Sequence, residues 1–369
     1  MNAFTIKDVK VVLPGGSGYL GRTLTRAFER DGHEVVVLSR SLSPHARHVA
    51  WDGRTLGAWA NELDGADAVI NLAGRSVNCR YTKTNLAEML ASRVDSTRAV
   101  GRAIDKARRP PRVWLQMSTA TIYAHGFDEA NDEQNGRIGG NEPGAPKYWR
   151  LSVEIARAWE QALAAAGTPH TRKVALRATM VMGTEPGGVF DVLRTLARLG
   201  LGGPLAGGEQ FVSWIHESDF VRAVAFLIER DDISGPVNVA APVPLPQSAF
   251  MRYLRGALGV PLGMSATRWM AELGALALGT DTELVLKSRR VVPRRLLEAG
   301  FSFDFPTWPA AAADLVARGT CAEVEGVYTR HAVALALGLR SAGGAPGLFA
   351  KSSPANQRQS GSTNAFDGD

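Results

Sequence analysis

The stretch Gly15-Gly16-Ser17-Gly18-Tyr19-Leu20-Gly21 follows an apolar run, Val9 to Leu13, and precedes a helix-patterned segment, Arg22 to Asp31. A strand that turns through glycines straight into a helix leaves few folds open. Lacking Cβ atoms, Gly15, Gly18 and Gly21 permit a tight turn, close approach of a pyrophosphate, and close packing of helix on strand. The amides of the helix N-terminus then face the phosphates. Taken alone, the same motif also describes a strand-to-helix turn that binds nothing.

The next apolar run, His33 to Leu38, ends in Ser39-Arg40. This lies about twenty residues beyond the loop, where a nicotinamide-binding fold selects its cofactor. No carboxylate stands there to accept from the ribose 2′-hydroxyl of NAD. Ser39 and Arg40 instead suit the 2′-phosphate of NADP through charge-assisted hydrogen bonds. NADP is the expected cofactor.

The β-α alternation continues along the chain. Ala66 to Gly74 reads as a buried strand entering a tight loop, Leu86 to Ala107 as a helix, Arg112 to Met117 as a strand, Ser152 to Ala166 as a helix, and Arg172 to Arg177 as a strand. Repeated units of this kind predict an α/β fold, a Rossmann-type doubly wound parallel sheet. The expected nucleotide domain runs over 1–185, with 210–243 returning to it through Pro236 to Ala241. A smaller, mainly helical substrate lobe is expected from 186–209 and 244–325. Residues 341–369 are rich in Gly, Ser, Pro, Asn and Gln, a composition that predicts a disordered tail.

With 369 residues, 45% of them hydrophobic and 21% charged, the chain is large enough for a full α/β core and a second lobe. Its net charge of +6 is spread without a basic run interleaved with aromatics, so no nucleic-acid partner is expected and an anionic cofactor fits better. Cys79 and Cys321 are the only cysteines, which supports neither a disulfide framework nor a Cys-rich zinc site. The seven histidines are scattered, and His45 with His48 alone make no metal site. The longest apolar stretch in the C-terminal part, Leu273 to Gly279, is too short for a bilayer, and the first residues lack a signal core. These features predict a cytoplasmic protein with a small-molecule substrate and no membrane partner, and they leave room for a homodimer.

In this frame the chain resembles the extended short-chain dehydrogenase/reductase superfamily. The resemblance rests on the Gly-x-x-Gly-x-x-Gly spacing at Gly15, Gly18 and Gly21, on Asn71-Leu72-Ala73-Gly74, and on Thr119-Ala120-Thr121-Ile122-Tyr123. More narrowly it is similar to an atypical, epimerase-like subgroup with a C-terminal domain of unknown function. That match is carried by Arg80-Tyr81-Thr82, Ser92-Arg93, Trp159-Glu160, Gly207 to Gln210, Ser213 to His216, and Val292 to Phe301, in this order. The resemblance covers roughly Val9 to Val316.

The resemblance implies an NADP-dependent oxidoreductase or epimerase. Gly15 to Gly21, Leu72, Ala73, Gly74 and Arg93 would hold the cofactor together with Ser39 and Arg40. Arg80, Gln210 and Trp214 are expected to bind substrate, and Thr119 to orient it. Members of the superfamily carry a Tyr-x-x-x-Lys pair in which the lysine lowers the tyrosine pKa and the tyrosinate exchanges the proton. In this chain the corresponding positions fall on Ser152 and Ala156. Tyr123, Tyr148, Glu154 and His216 are therefore the remaining acid/base candidates, each with a structural alternative: packing for Tyr123, a helix end for His216. The missing pair also admits a non-redox NADP-binding protein, or an isomerase or lyase that uses the cofactor transiently.

Overall fold

The computed structural model describes residues 8–325, apart from 42–46, 144, 147 and 278–280. The expected tail at 341–369 lies outside the described residues. In chain order, β1 (Lys10–Pro14) leads into α1 (Tyr19–Arg30), followed by β2 (Glu34–Ser39), β3 (Arg47–Ala50) and β4 (Ala68–Asn71). Then come α2 (Lys83–Lys106), β5 (Val113–Thr119), α3 (Trp149–Ala164), β6 (Arg172–Ala178), β7 (Met180–Met182) and α4 (Val189–Arg198). The short β8 (Phe211–Val212) and β9 (Trp214–His216) precede α5 (Glu217–Glu229), β10 (Gly235–Val239) and β11 (Leu245–Pro246). Helices close the described chain: α6 (Gln247–Ala257), α7 (Arg268–Ala277), α8 (Glu283–Leu286), α9 (Arg294–Glu298) and α10 (Trp308–Glu325).

Seven strands form one sheet in the order β10-β6-β5-β4-β1-β2-β3, and every pair in it is parallel. Such a sheet is covered on both faces, which explains why its strands are continuous apolar runs. Successive side chains point to opposite faces. Val11, Leu13, Val35 and Val37 accordingly join Leu24 and Phe28 of α1 and Phe220, Val224 and Leu227 of α5 in one core layer. Val12, Val36, Leu38 and Val69 join Val100 and Ile104 of α2 and Leu163 of α3 in the other. The strand order reverses at β1, between β2 and β4, and in open α/β sheets that crevice is where ligands bind.

The helices start earlier than their apolar periodicity suggests. The first turn of α1 is Tyr19-Leu20-Gly21 itself, so the glycine loop enters the helix directly. The start of α2 is set by Thr82, whose side chain accepts from the Asn85 amide (3.2 Å). β3 gives no apolar run because it is an edge strand with an exposed or half-buried pattern.

A third core cluster joins the C-terminal helices to a separate two-stranded sheet of β7 and β9. Trp308 of α10 stacks on Phe250 of α6 (centroids 3.9 Å) and meets Trp214 of β9 edge-on (5.0 Å). Its indole N–H donates to the Phe250 carbonyl (2.8 Å), and Met182, Phe190 and Met251 complete the cluster. Trp308→Ala therefore leaves a cavity between α10, α6 and β9. Urea unfolding should show a loss of about 4 kcal/mol.

Candidate functional site

The turn after β1 is shaped by what its glycines avoid. Gly15 has φ +76°, and a Cβ there would lie 2.6 Å from the backbone of Ala73. A Cβ on Gly16 would meet Leu13 at 2.8 Å, and one on Gly21 would lie 2.1 Å from the Gly16 carbonyl oxygen. Gly18 differs: the nearest atom to its Cβ position is the Gly15 oxygen at 4.0 Å. Three glycines thus serve packing, and the fourth keeps a space open. Gly18 precedes the first turn of α1, which has no acidic residue and no side-chain cap. Its amides remain available for an anion, and the cradle fits a dinucleotide pyrophosphate. Ser17 is exposed, and its carbonyl accepts from Arg22 Nη1 (2.6 Å).

The loop after β4 forms the facing wall. Asn71 accepts from the Ala73 amide (3.1 Å) and donates to Gln116 (2.9 Å), which fixes Leu72-Ala73-Gly74. A Cβ on Gly74 would lie 3.3 Å from the guanidinium carbon of Arg93. Arg93 is buried, stacks over Trp159 (4.9 Å) and donates to the Met89 carbonyl (3.0 Å). Burial pulls its pKa down to about 10. At the end of β2, Ser39 is buried and its Oγ accepts from the Ser41 amide (3.1 Å), while the neighbouring Arg40 is exposed.

Tyr19 belongs to the loop by its backbone only. Its hydroxyl donates to Glu217 (2.7 Å), over Gly183, whose Cβ would lie 1.7 Å from the tyrosine oxygen. Burial, followed by the Glu217 charge, pushes the phenol far up. Glu217 also pairs with Arg318, so the first helix, α5 and α10 are tied at one point.

Thr119 ends β5, and its hydroxyl oxygen accepts from the Thr121 amide (3.2 Å), an arrangement in which its own hydrogen can still be donated. Tyr148 is 37% exposed, with its hydroxyl 3.0 Å from that of Thr282. Gln210 is buried, donates to the Leu205 and Val285 carbonyls, and lines a cavity of about 170 Å³ with His125, Phe127, Trp149, Arg268 and Leu286. Arg80 is exposed in the loop before α2.

Three expectations are corrected by burial. Tyr123 is fully buried, its single hydroxyl hydrogen having Asn238 Oδ1 (2.9 Å) and Asp132 O (3.1 Å) as alternative acceptors while the oxygen accepts from Arg177 (3.0 Å). Enclosed among these partners, it packs rather than reaching a substrate, and burial raises its pKa. Trp214 is also fully buried and faces Trp308, not a substrate space. His216 is held at both ring nitrogens, by the Ser218 amide and hydroxyl and by Asp314 of α10 (3.0 Å), and stacks on Phe305. It is the cap of α5.

The sequence reading missed one cluster. Ser152 Oγ lies 2.6 Å from Glu283 Oε1, which is 3.3 Å from Lys287 Nζ and 3.9 Å from Arg289 Nη2. The only local signal was the i,i+4 spacing of Glu283 and Lys287. Among the described residues, no group of three or more His, Cys, Asp or Glu is placed to hold a metal ion, and no helix is long and apolar enough to cross a membrane.

Two consequences can be measured. Gly21→Ala forces α1 off the Gly16 carbonyl and should cost about 3 kcal/mol of stability. Gly18→Ala should unfold like the natural chain and lose dinucleotide binding measured by calorimetry. Burial holds the His216 pKa below its ordinary 6.5. The unfolded chain then binds the proton at higher pH than the folded one, so stability should fall as pH drops below about 6.5 and level off beneath the folded value. His216→Asn should remove part of that slope in thermal melts.

Comparison with known proteins agrees with this architecture. Residues 11–240 match the sequence profile of the NAD dependent epimerase/dehydratase family, and residues 267–315 match DUF1731, a domain of unknown function. Epimerase family protein SDR39U1 of Bos taurus is 32% identical over 84% of this chain and 100% of its own length. Epimerase family protein YfhF of Bacillus subtilis is 28% identical over 84% of this chain and 98% of its own. The crystal structure of human SDR39U1 (isoform 2) with NADPH superposes with a TM-score of 0.73 at 28% identity, covering 84% and 99% of the two chains. UDP-N-acetylglucosamine 4-epimerase from Bacillus cereus, at 16% identity and a TM-score of 0.64, shares the fold over 85% and 99% of the chains. The profile match spans more than half of the sequence, and the chain belongs to the NAD dependent epimerase/dehydratase family.

Proposed function

We propose that this chain is an NADP(H)-dependent oxidoreductase or epimerase acting on a small polar metabolite with a carbonyl or hydroxyl group. The observation that carries the reading is the open cradle at Gly18, set at the strand-order reversal with Arg40 one residue beyond β2. An exposed guanidinium there, with no Asp or Glu next to it in the sequence, favours a 2′-phosphate over a bare 2′-hydroxyl. The NADPH bound by the human relative supports the same choice.

When bound, the nicotinamide supplies a hydride donor or acceptor. The chain supplies position. Gly15 to Gly21 and Leu72 to Gly74 seat the pyrophosphate and adjoining ribose, Arg93 braces the second loop, and Thr119 at the end of β5 donates to the substrate oxygen. The cavity at Gln210, Trp149 and Arg268 adjoins α3 and takes a compact polar substrate. In this reading the protein is cytoplasmic, takes a small-molecule substrate without a nucleic-acid or membrane partner, and admits a homodimer.

A second reading is favoured by one observation. Ala156 is fully buried and Ser152 is not ionisable near neutrality, so α3 offers no tyrosinate or lysine. A non-redox protein that holds NADP as a structural or sensed ligand has the same cradle.

Calorimetry should show NADPH binding more tightly than NADH, and Arg40→Ala should lower NADPH affinity by about tenfold while leaving NADH unchanged. Oxidation of NADPH by the natural chain with a panel of carbonyl compounds supports the enzyme. Tight binding without any oxidation supports the sensor.

A further inference from the structure

The Ser152–Glu283–Lys287 cluster sits at the end of β5. Lys287 Nζ donates to the Thr121 carbonyl (3.0 Å), two residues beyond Thr119, and lies 3.3 Å from Glu283 Oε1. The side chains of Glu283 and Lys287 are 0% and 1% exposed, so a full ionic pair is enclosed by the fold. Enclosing such a pair is costly and adds little stability compared with apolar packing of the same volume.

The hydroxyl of Ser152 has one hydrogen and two acceptors within reach, Glu283 Oε1 at 2.6 Å and the Trp149 carbonyl at 2.9 Å. With Glu283 ionised, Ser152 donates to it. With Glu283 protonated, the carboxyl donates to Ser152 and the serine hydrogen turns to Trp149. Both protonation states are satisfied without moving a heavy atom, which a purely structural ion pair does not require. Glu283 Oε2 is buried and has no hydrogen-bond partner among the described residues. A buried carboxylate oxygen without a donor calls for an explanation, and a role in proton transfer supplies one.

From this geometry we infer that Ser152, Glu283 and Lys287 form the proton-transfer site of this chain, at the place on α3 where the tyrosine and lysine are absent. The inference rests on the enzyme reading above. Ser152 is the group that meets substrate, Glu283 takes or returns the proton behind it, and Lys287 is a positioning residue. In the oxidative direction the substrate O–H bond breaks and its proton moves to Ser152 Oγ as the serine proton moves to Glu283 Oε1. The electron pair of the adjacent C–H bond leaves as hydride to an oxidised nicotinamide dinucleotide, giving the carbonyl. Reduction reverses each transfer. In this proposal the substrate occupies the cavity lined by Trp149 and Leu286, sequence neighbours of Ser152 and Lys287.

Several charges set the pH at which the site works. Lys287 and Arg289 lie 3.3 Å and 3.9 Å from Glu283 Oε1, and Asp281 accepts from the Glu283 amide (3.0 Å). Tyr81 faces Glu283 and Arg289 from the loop before α2, and burial pushes its phenol up, so it stays neutral. Glu142 and His125 face Lys287 from the segment after β5.

The test uses the full chain with NADPH and phenanthrenequinone as the carbonyl probe. Glu283→Gln with Lys287→Met removes both charges together. This variant should keep its melting temperature and its NADPH affinity, read from tryptophan fluorescence, and lose about 100-fold in kcat with KM unchanged. Lys287→Met alone should lower kcat and change the shape of the pH profile, which a purely structural lysine would leave as it is. Should the double variant melt early, Ser152→Ala, which removes one hydroxyl, decides on the same readouts. A folded double variant or Ser152→Ala with natural kcat overturns the inference and leaves the enzyme reading standing. Failure of the natural chain to oxidise NADPH with any carbonyl overturns both.

Discussion

The contact between the turn after β1 and the loop after β4 is the constraint on which the rest of the molecule depends. Ala73 lies so close to Gly15 that any Cβ there would sit 2.6 Å from its backbone, and Gly21 seats α1 on Gly16 with no room to spare. Because these positions are filled by backbone, the N-terminus of α1 is aimed at the crevice between β1 and β4. Gly18 alone is relieved of packing, which is how one loop can be both rigid and open to a ligand.

A second constraint couples this cradle to the C-terminal helices. Tyr19 leaves the glycine loop to reach Glu217 of α5, and Glu217 reaches Arg318 of α10. His216 meets Asp314 of the same helix, and Trp214 meets Trp308. The short segment Trp214 to His216 is thus a joint between β9, the start of α5 and α10.

Much of the fold was legible because a parallel sheet covered on both faces must write its strands as uninterrupted apolar runs. Val11 to Leu13, Val35 to Leu38 and Val174 to Leu176 could be read that way. β3 could not, since an edge strand of Arg47, His48, Val49 and Ala50 carries no such run. The cradle was legible too, because its glycines are contiguous. Residues whose roles depend on distant partners were misread. Trp214 and His216 look like site residues until Trp308 and Asp314, some ninety residues later, occupy them. Conversely, nothing near Ser152 announces a carboxylate that arrives from 131 positions away. Local pattern reports periodicity and turns, whereas a buried charge declares itself only when the lobe is packed.

We propose that this chain moves hydride between NADP(H) and a small carbonyl or hydroxyl compound without a tyrosine and lysine on α3. The most direct measurement is transfer of deuterium from NADPH labelled at the nicotinamide C4, followed by mass spectrometry of the carbonyl-derived product. Deuterium on the product carbon, transferred from one face of the nicotinamide only, is the predicted result. Tight NADPH binding with no deuterium in any product would contradict the claim.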